Sequence, residues 1–581
     1  MAPREKLIQA HSSVFMSFNI QQGKKKRMPR PRMRVIPLGG VGEVGKNLTV
    51  IEYRGDLLII DAGAKFPEDE MRGIDLIVPD ISYVVDRIDK LRGILLTHGH
   101  EDHIGGLPFL LPLLKKNAPI PIYGSPLAIA FTESKLDEAG VLDLAELHVI
   151  EAGKQYPFGK SFQAEFINVT HSIPGSFAIG LKTPLGWVMH TGDYKFDPTP
   201  PLGPPTNEAR LREIGNEGVL VLLTDAVRIE RPGHTPSEAV VSETLYRVIG
   251  EKTGRVVLTT FASNITRLDQ AMRAGYRHGR KVAVSGRSME QSTRIAMELG
   301  YFTPPDGVLI PIDVAMKLPP EQVLILTTGS QGEAGAALAR VASGEHQQIK
   351  ISRGDTVIFS ATPVPGNEES VSQTIDLLFK RGFDVVYSAL EPTIHVSGHA
   401  SQDELKLMLK LIHPRYVMPI HGEYRHLALY RQLALGEGMN EAQIFIPELG
   451  GIHSFGRDFG RREGLAKSGA VLVDIISNRH AILRNRDEIA ASGFVIASLV
   501  VDHETRQLVV APKLTGQGLD GQIDDRVLRR AEEELEKFLQ RRQKGGFSNS
   551  YLVSRTKGVL SRQIFRQTKI HPLILPVVTE L

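Results

Sequence analysis

The stretch Thr97-His98-Gly99-His100-Glu101-Asp102-His103-Ile104-Gly105-Gly106 is the part of the sequence that decides the fold. It follows an apolar run, Ile94-Leu95-Leu96, that is typical of a buried strand. After it, three imidazoles and two carboxylates lie within six residues, 98–103. Histidine nitrogen and carboxylate oxygen are ligands for zinc or manganese, and a short turn can direct several of them at one point. The pattern therefore predicts a metal-binding loop rather than a polar surface loop.

The composition predicts a globular chain of several domains. The chain has 581 residues, of which 42% are hydrophobic and 23% charged, and this length divides into about three or four domains. No run of about eighteen apolar residues occurs, which argues against a membrane span. Because the chain has no cysteine, histidine, aspartate and glutamate must supply any metal ligands. This is compatible with the cytoplasmic location that we expect.

Residues 1–33 form a basic segment that is interrupted by proline and lacks helical periodicity. No apolar signal-peptide core follows the run Lys24–Arg34, so a secretory leader is not expected. One interpretation is a disordered tail that contacts phosphate backbones. The other is a solvated tail that depends on which methionine begins the chain. The sequence leaves both open.

Further candidate ligands stand near the ends of strand-like runs downstream. They are His171, Asp193 and His421. A lone histidine or aspartate in such a place is usually structural. Here the loop at 98–103 cannot by itself complete two coordination spheres, so we interpret these three residues as additional ligands.

Two glycine-rich segments do not predict nucleotide binding. Val35–Asn47 resembles a strand and a glycine-rich turn, but a second strand-like run, Leu48–Tyr53, follows it instead of a helix. Gly329–Glu333 lacks the Lys-Ser/Thr pair of a P-loop. Consecutive strands with short turns instead predict two sheets packed between helices, with ligands at the strand ends.

Together, these motifs resemble the ordered motifs of the metallo-β-lactamase superfamily. The residues that carry the likeness are the loop His98–Gly106, His171, Asp193 and Pro419–Glu423. The long insertion between Asp193 and His421 is similar to that of the β-CASP nucleases. Within that group, the segments His395–Ser401 and His421–His426 resemble the RNase J family most closely. The likeness covers nearly the whole chain.

The resemblance implies an α/β chain with an αββα sandwich, an inserted α/β β-CASP domain and a small C-terminal α/β domain. Three strand-like runs, Arg255–Thr260, Val323–Thr328 and Asp355–Ser360, suit a parallel sheet in the insert. A cleft between insert and sandwich would be the natural path for a nucleic-acid strand. The predicted boundaries are a basic tail 1–33, a sandwich 34–223 and 394–454, an insert 224–393, a linker 455–469 and a C-terminal domain 470–581.

The resemblance also implies two divalent metal ions per chain, Zn²⁺ or Mn²⁺. The expected ligands are His98, His100 and His171 for one ion and Asp102, His103 and His421 for the other, with Asp193 shared. Two such ions can hold a bridging hydroxide at neutral pH, which would attack a phosphorus in line. Asp61 matches an aspartate that supports the site without binding metal.

Three residues are expected to act in catalysis. His399 matches the family's catalytic histidine in the insert and would protonate or stabilise the leaving 3′-oxygen. Asp225 matches the insert's acidic motif and would orient that histidine or a metal ligand. The surrounding sequence, Leu223–Val227, differs from the serine-rich sequence that is usual in the family. Asp102 is expected to act in catalysis as well as in metal binding.

RNase J-like enzymes prefer RNA with a 5′-monophosphate, digest it from that end and also cut internally. The residues expected to contact the substrate are Ser263, Asn264, His395, Val396, Ser397, Gly398 and His399. Hydroxyl and amide groups can donate to phosphate oxygens, and glycine allows the backbone to come close. The same segments could equally be ordinary strand-end turns. The balance between exonuclease and endonuclease activity stays open.

The C-terminal residues predict a separate α/β unit. Phe494–Val501 is strand-like and could pair with Gln507–Ala511, and apolar residues between Val527 and Leu539 recur at helical spacing. In RNase J relatives such a domain supports dimerisation, so we expect a homodimer or a higher oligomer. The alternative is a monomeric appendage that covers an apolar face.

The leading hypothesis is a metal-dependent ribonuclease that acts on single-stranded RNA in maturation and decay. It would be a 5′-to-3′ exonuclease with additional endonuclease activity. Membership of an RNA-degradation complex is left open. The alternatives are a hydrolase of small esters or lactams, a DNA-processing β-CASP nuclease, and a catalytically silent RNA-binding subunit.

Overall fold

The computed structural model describes residues 32–67, 71, 74–114, 118–333, 336–364, 366–473, 494–502, 505, 507–517, 523–540, 549–568 and 572–580. Of the predicted basic tail, residues 1–31 lie outside the described residues. Among the described residues, no helix has the length and apolar character that crossing a bilayer requires.

The chain up to Asp225 consists mainly of strands. These are β1 (Met33–Gly39), β2 (Val41–Gly42), β3 (Leu48–Tyr53), β4 (Asp56–Ile60), β5 (Leu76–Pro79), β6 (Leu91–Leu95), β7 (Ile120–Gly124), β8 (Ala145–Val149), β9 (Gln155–Phe158), β10 (Phe162–Val169), β11 (Ser176–Thr183), β12 (Gly186–His190) and β13 (Val219–Asp225). The helices are α1 (Ser82–Val85), α2 (Glu101–Ile104), α3 (Leu107–Leu110), α4 (Pro126–Glu138) and α5 (Glu208–Glu217).

Strands and helices alternate in the insert. The strands are β14 (Val256–Thr259), β15 (Lys281–Ser285), β16 (Val323–Thr327), β17 (Thr356–Phe359) and β18 (Asp384–Val386). The helices are α6 (Glu238–Glu251), α7 (Ile265–Arg277), α8 (Arg287–Glu298), α9 (Ile312–Ala315), α10 (Ala337–Ser343) and α11 (Glu368–Lys380).

After the insert the chain returns to the sandwich and then forms a small third unit. The returning elements are α12 (Gln402–Ile412), β19 (Tyr416–Glu423), α13 (Tyr424–Gly436), β20 (Gly451–Gly456), β21 (Phe459–Leu465) and β22 (Ala470–Val473). The third unit contains β23 (Phe494–Val501), β24 (Lys513–Gln517), α14 (Asp525–Gln540), α15 (Asn549–Thr568) and β25 (Leu573–Glu580). Short 3-10 turns lie at Ile88–Lys90, Leu111–Leu113, Leu142–Leu144, Pro320–Gln322, Pro392–Ile394 and Glu441–Gln443.

Two large sheets form the sandwich. One has the strand order β21-β20-β1-β3-β4-β6-β7-β8, and the other has the order β2-β19-β13-β12-β11-β10-β9. Buried apolar side chains from both sheets, including Val35, Leu58, Phe166 and Ile179, form one cluster between them. Other clusters bury helices against the outer faces. The αββα sandwich expected from the sequence is confirmed.

The insert folds around a five-stranded sheet with the order β15-β16-β14-β17-β18. Every strand pair in it is parallel. Its strands are wholly apolar or nearly so because helices cover both faces, as a parallel sheet requires. The expected α/β insert is therefore confirmed, and the sheet also contains two strands, β15 and β18, that the sequence reasoning did not identify.

Several strands end at the same edge of the sandwich. In one sheet β4 and β6 are parallel, and in the other β12, β13 and β19 are parallel. The carboxyl ends of parallel strands meet at one edge, which is where open α/β sheets place their ligand sites. This geometry brings the residues after β4, β6 and β12 to the same place as those at the ends of β13 and β19.

The structure differs from the sequence expectations at three places. Most of the segment 455–469, predicted as a linker, belongs to the hairpin of β20 and β21 at the edge of the first sheet. Its exposed Arg461 and Arg462 suit a sheet edge, where charge discourages pairing with other chains. His421 lies within β19 rather than after it.

The third difference lies in the C-terminal unit. The segment Gln507–Ala511, expected as a strand, makes only an isolated bridge through Leu508 to Val501. The antiparallel partner of β23 is β24, and β25 pairs in parallel on its other side. Because residues of β23 are buried alternately, one face of this sheet lies against α14 and α15.

Candidate metal centre and cleft

The loop after β6 is held by backbone contacts to the residues that follow β4. The Ala62 N–H donates to the His103 carbonyl at 2.8 Å, and the Gly106 N–H donates to the Ala62 carbonyl at 2.9 Å. A Cβ at Gly63 would lie 1.7 Å from the Asp102 carbonyl oxygen, so only glycine permits this approach. The loop is therefore fixed in position before any side chain contributes.

His98, His100 and His171 form the first group of candidate ligands, in which one nitrogen from each lies within 4.8 Å of the others. His100 Nδ1 is 3.0 Å from His98 Nε2 and 3.1 Å from His171 Nε2. Burial lowers the pKa of His98 and His171 well below the usual value, and it lowers the pKa of His100 to about 4. All three rings are therefore neutral near pH 7, as metal ligation by imidazole requires.

Asp102, His103, Asp193 and His421 form the second group, also with one ligand atom each within 4.8 Å. Asp193 Oδ1 lies 2.8 Å from His421 Nδ1, and its Oδ2 lies 3.2 Å from His103 Nε2. Oδ2 of Asp193 also lies 3.8 Å from His98 Nε2 and from His171 Nε2. The carboxylate of Asp193 therefore stands between the two groups.

The donor set of both groups fits divalent metal ions. Nitrogen and carboxylate oxygen without sulfur are ligands for Zn²⁺ and Mn²⁺ alike. The buried Nε2 of His421 has no hydrogen-bond partner among the described residues, whereas buried polar atoms are nearly always paired. Burial works against the charged form, but Asp193 and Asp102 raise the pKa of His103 above its usual range. A proton and a metal cation would thus compete for these nitrogens.

Asp61 supports the second group without belonging to it. It is buried at the end of β4 and accepts hydrogen bonds from the backbone N–H and the hydroxyl of Thr97, both at 2.8 Å. Its Oδ2 lies 2.7 Å from His103 Nδ1. A carboxylate on the second nitrogen of a histidine fixes the ring's orientation and tautomer. The supporting role expected for Asp61 stays a prediction that this contact favours.

Two supporting residues were missed at the sequence level. Asn47 Nδ2 donates to the carbonyl and to Oδ2 of Asp102, both at 3.2 Å, and lies 3.1 Å from His103 Nε2. Thr97 Oγ1 lies 3.0 Å from His98 Nδ1. Thr97 is adjacent to the histidine motif and could have been found there. Asn47 is 55 residues from Asp102, so no local pattern links the two.

His399 and Asp225 form a pair next to the second group. His399 Nδ1 lies 2.7 Å from Asp225 Oδ2, and its Nε2 lies 3.9 Å from Asp193 Oδ2. Burial by itself lowers the pKa of His399, but the carboxylates of Asp225 and Asp193 outweigh it and raise the pKa to about 9. Asp225 is therefore a direct partner of this histidine, and the orienting role expected for it stays a prediction.

Gly398 contacts a candidate metal ligand through its backbone. His171 Nδ1 lies 2.8 Å from the Gly398 carbonyl oxygen. A Cβ at position 398 would come within 2.5 Å of the same nitrogen, so a side chain there would displace the ring. The loop that follows the insert thus contacts a histidine that follows β10, which was not predicted.

A cleft of about 390 Å³ lies between the insert and the sandwich. It is lined by members of both ligand groups, by the insert residues Ser263 and Asn264, and by His395, Ser397, Gly398 and His399 of the loop that follows the insert. Arg228 and Arg231 line it as well. Val396 is not among the residues that line it, because this residue is 6% exposed and packs in an apolar cluster. The expectation of a substrate contact from Val396 is therefore corrected.

This architecture, with clustered histidines and aspartates at the strand ends of a sandwich and a parallel α/β insert, defines a metal-dependent hydrolase of the metallo-β-lactamase fold. Residues 41–258 match the family model "Metallo-beta-lactamase superfamily", and residues 385–447 match "Zn-dependent metallo-hydrolase RNA specificity domain". Residues 253–378 match "Ribonuclease J, beta-CASP domain", and residues 481–581 match "Ribonuclease J C-terminal domain". The chain belongs to the ribonuclease J family.

Similar proteins cover most of the chain. Ribonuclease J 1 of Streptococcus pyogenes serotype M3 is 44% identical over 83% of this chain and 86% of its own length. Ribonuclease J of Thermus thermophilus is 40% identical over 95% and 96%, respectively. A solved structure of a protein of unknown function from Enterococcus faecalis V583 is 16% identical, with a TM-score of 0.50. That match covers 76% of this chain and all of that chain, and it concerns the fold alone.

Family and site together establish the class of activity. The protein is a metal-dependent ribonuclease, a hydrolase that acts on ester bonds of RNA. It binds RNA as substrate and its histidine and aspartate cluster binds divalent metal. The alternatives of a silent RNA-binding subunit and of a DNA-processing nuclease are not favoured.

Proposed function

We propose that this ribonuclease digests single-stranded RNA from a 5′-monophosphate end in the 5′-to-3′ direction and also cuts internally. Its setting would be RNA maturation and decay in the cytoplasm. The observation that carries the proposal is that a single cleft is lined by both groups of candidate ligands and by a recess of small polar residues. A strand whose 5′ end lies in the recess would place a phosphodiester near the metal ligands.

Two divalent ions, Zn²⁺ or Mn²⁺, are proposed for the centre. The proposed ligands are His98, His100 and His171 for one ion and Asp102, His103 and His421 for the other, with Asp193 shared. Ions bound there would activate water for attack and neutralise charge on the phosphoryl oxygens. Asp102 would thereby contribute to catalysis through its ligand role.

His399 is proposed to protonate the leaving 3′-oxygen. Its Nδ1 is engaged by Asp225 at 2.7 Å, which leaves Nε2 to face the reacting group. The ion pair with Asp225 favours the protonated ring, the form that a general acid needs. A cation beside Asp193 would oppose this effect, but Asp225 lies outside both ligand groups and would keep acting on His399.

The 5′-monophosphate is proposed to bind in the recess formed by Ser263, Asn264, His395 and Ser397. The Asn264 side-chain oxygen accepts from the N–H of Arg267 at 3.0 Å, so its amide NH₂ is left to donate to a phosphate oxygen. The helix α7 begins directly after Asn264, and helix N-termini favour anions. Both features support recognition of a charged 5′ end.

A homodimer through the C-terminal unit is also proposed. The face of the three-stranded sheet opposite α14 and α15 carries half-buried Phe494, Ile496 and Val500. Val577 on β25 is 49% exposed. Apolar side chains on an open sheet face are typical of an interface. Light scattering after size exclusion would test it, and a monomer at micromolar concentration would contradict it.

The test of the exonuclease proposal uses one labelled RNA with a 5′-monophosphate, a 5′-triphosphate or a 5′-hydroxyl, together with its circular form. Metal-stripped enzyme receives Mn²⁺ or Zn²⁺. Mononucleotides released mainly from the monophosphate form would support digestion from that end, and cleavage of the circle would support internal cutting. Equal release from all linear forms would contradict recognition of the 5′-monophosphate.

A further inference from the structure

A cluster of four buried ionic side chains lies between the sandwich and the insert. Its members are Lys195, Asp197, Glu238 and Arg267, none more than 2% exposed. The Lys195 ammonium is 3.7 Å from Asp197 and 3.8 Å from Glu238, and Glu238 accepts from Arg267 at 2.8 Å. Two positive and two negative groups balance each other. None of them lines the cleft.

One end of this ionic cluster is joined to the metal-ligand side of the cleft. The Lys195 N–H donates to the Thr170 carbonyl at 2.8 Å, and the Thr170 hydroxyl donates to the Lys195 carbonyl at 2.6 Å. The Asp197 N–H donates to the same hydroxyl at 3.0 Å. Thr170 directly precedes His171, so the cluster is anchored to a rigid part of the sandwich.

The other end is joined to the loop that carries His395 and His399. Nη1 of Arg267 donates to the carbonyls of Ser360 at 3.1 Å and Ile394 at 3.3 Å, and it also contacts the Ser360 hydroxyl. The same nitrogen lies 3.4 Å from His395 Nδ1. The guanidinium therefore bridges strand β17 and the start of the 394–399 loop.

The other two guanidinium nitrogens of Arg267, Nε and Nη2, donate within the insert. Nε donates to Gln270 at 2.9 Å, and Nη2 donates to Glu238. The backbone N–H of Arg267 separately holds Asn264 on the opposite wall of the recess. A change of the Arg267 side chain would thus release one wall, through His395, and leave the Asn264 wall in place.

Stability alone does not account for such a cluster. Burying charges costs desolvation that a salt bridge often only offsets, and apolar residues of similar volume are frequently as stable. What a planar guanidinium adds is direction, since several donors in a fixed fork orient several acceptors at once. Lysine, a single point charge, does not reproduce that arrangement.

We propose that Arg267 is a positioning residue that determines selectivity for 5′-monophosphate RNA by holding the 394–399 loop against the recess. This inference rests on the proposed exonuclease function. Burial and the charge of Arg267 both lower the pKa of His395 well below its usual value, so the ring stays neutral. Arg267 acts on the substrate only through His395 and its neighbours.

The test compares Arg267→Lys with wild type and with Arg273→Lys. Arg273 lies on the same helix, but its side chain is 52% exposed and, among the residues that the structure describes, pairs with Asp269 alone. We expect Arg267→Lys to raise KM for 5′-monophosphate RNA about tenfold and to change kcat and cleavage of circular RNA much less, because Asp225 separately holds His399. Arg273→Lys should match wild type on every substrate.

A second variant distinguishes the proposed positioning effect from a folding defect. Arg267→Met with Glu238→Gln removes one positive and one negative charge together, and it should show the same loss of selectivity. A wild-type ratio of monophosphate to hydroxyl rates in Arg267→Lys would overturn the inference. So would an equal loss on the circular substrate, which has no 5′ end. A wild-type enzyme without any preference would instead contradict the proposed recognition of the 5′-monophosphate, and the inference with it.

Discussion

The two walls of the cleft differ in how their polar groups are paired. On the sandwich side, the buried nitrogens and carboxylates face mainly one another, as with His98, His100 and Asp193, and Nε2 of His421 has no partner among the described residues. On the insert side, the side chain of Asn264 and the loop before His395 are already held by hydrogen bonds within the protein. The first wall suits cations that complete it, and the second suits an anion that it receives without rearrangement.

This difference separates affinity for metal from recognition of substrate. Crowded donors gain most from a divalent ion because the ion relieves unfavourable contacts among them. Preorganised donors gain specificity because no reorganisation is needed when the phosphate arrives. Changes on the sandwich wall should therefore abolish turnover. Changes on the insert wall should alter substrate choice.

The largest effect is expected from His103→Ala or Asp102→Ala. Each removes a candidate ligand of the second group, so turnover should fall at least about a thousandfold. RNA binding, measured by filter retention or fluorescence polarisation, should stay within a few-fold of wild type. His148→Ala is the control, because His148 stacks on Tyr123 in an edge strand away from the cleft. Full activity in either variant would refute the ligand assignment.

Asp225→Asn tests the pair that Asp225 forms with His399 between the two walls. It should slow turnover about a hundredfold, because His399 loses both its orientation and the charge that favours its protonated form. Metal content, measured by elemental analysis, should stay at the wild-type level. A parallel loss of metal would mean that Asp225 acts on a ligand rather than on His399.

Metal removal tests whether the sandwich wall requires a cation for stability. Adding Mn²⁺ or Zn²⁺ to stripped wild-type protein should raise the melting temperature by several degrees, since a ligand at about a hundred times its Kd adds about 2.7 kcal/mol. Differential scanning calorimetry would measure it. His103→Ala should show a clearly smaller rise. Equal rises in both proteins would argue that the ions bind elsewhere.

The smallest effect is expected at His453, a buried histidine outside the cleft. Neither ring nitrogen has a hydrogen-bond partner among the described residues, and burial lowers the pKa to about 4. The unfolded chain takes up a proton below about pH 6.5 and the folded chain only near pH 4, so stability is lost as pH falls through that window. Among the described residues no carboxylate offsets the burial of His453, in contrast to His103.

Urea unfolding at pH 7 and pH 5 would measure this contribution. The loss of stability between the two pH values should be about 1 to 2 kcal/mol smaller in His453→Leu than in wild type. His234→Leu, at an exposed position outside the cleft, is the control. An unchanged pH dependence in His453→Leu would show that the ring does not stay neutral in the folded protein.

Local sequence patterns predicted which segments form the site better than they predicted where strands begin and end or which side chains face the cleft. The strand-like run before Thr97 and the spacing of His98, His100 and His103 identified the metal-binding loop, because ligand type and strand periodicity are both local properties. The hairpin of β20 and β21 was missed because its charged, glycine-rich sequence is also typical of a linker. Val396 was misplaced because neighbouring residues of an extended loop point in alternate directions, and a sequence run does not show which one faces the cleft.

The sequence by itself determined the class of site, since nitrogen and oxygen ligands in this order and without cysteine permit few other chemistries. Its strand-like runs also suggested two sheets packed between helices and suited a parallel insert, and the resemblance to the metallo-β-lactamase superfamily implied the sandwich. Only the tertiary structure decided which distant groups meet. Asn47 on Asp102, Gly398 on His171 and Arg267 on the 394–399 loop are contacts between segments 55 to 227 residues apart. Such contacts depend on how sheets and helices pack, and packing depends on the whole chain rather than on any local pattern.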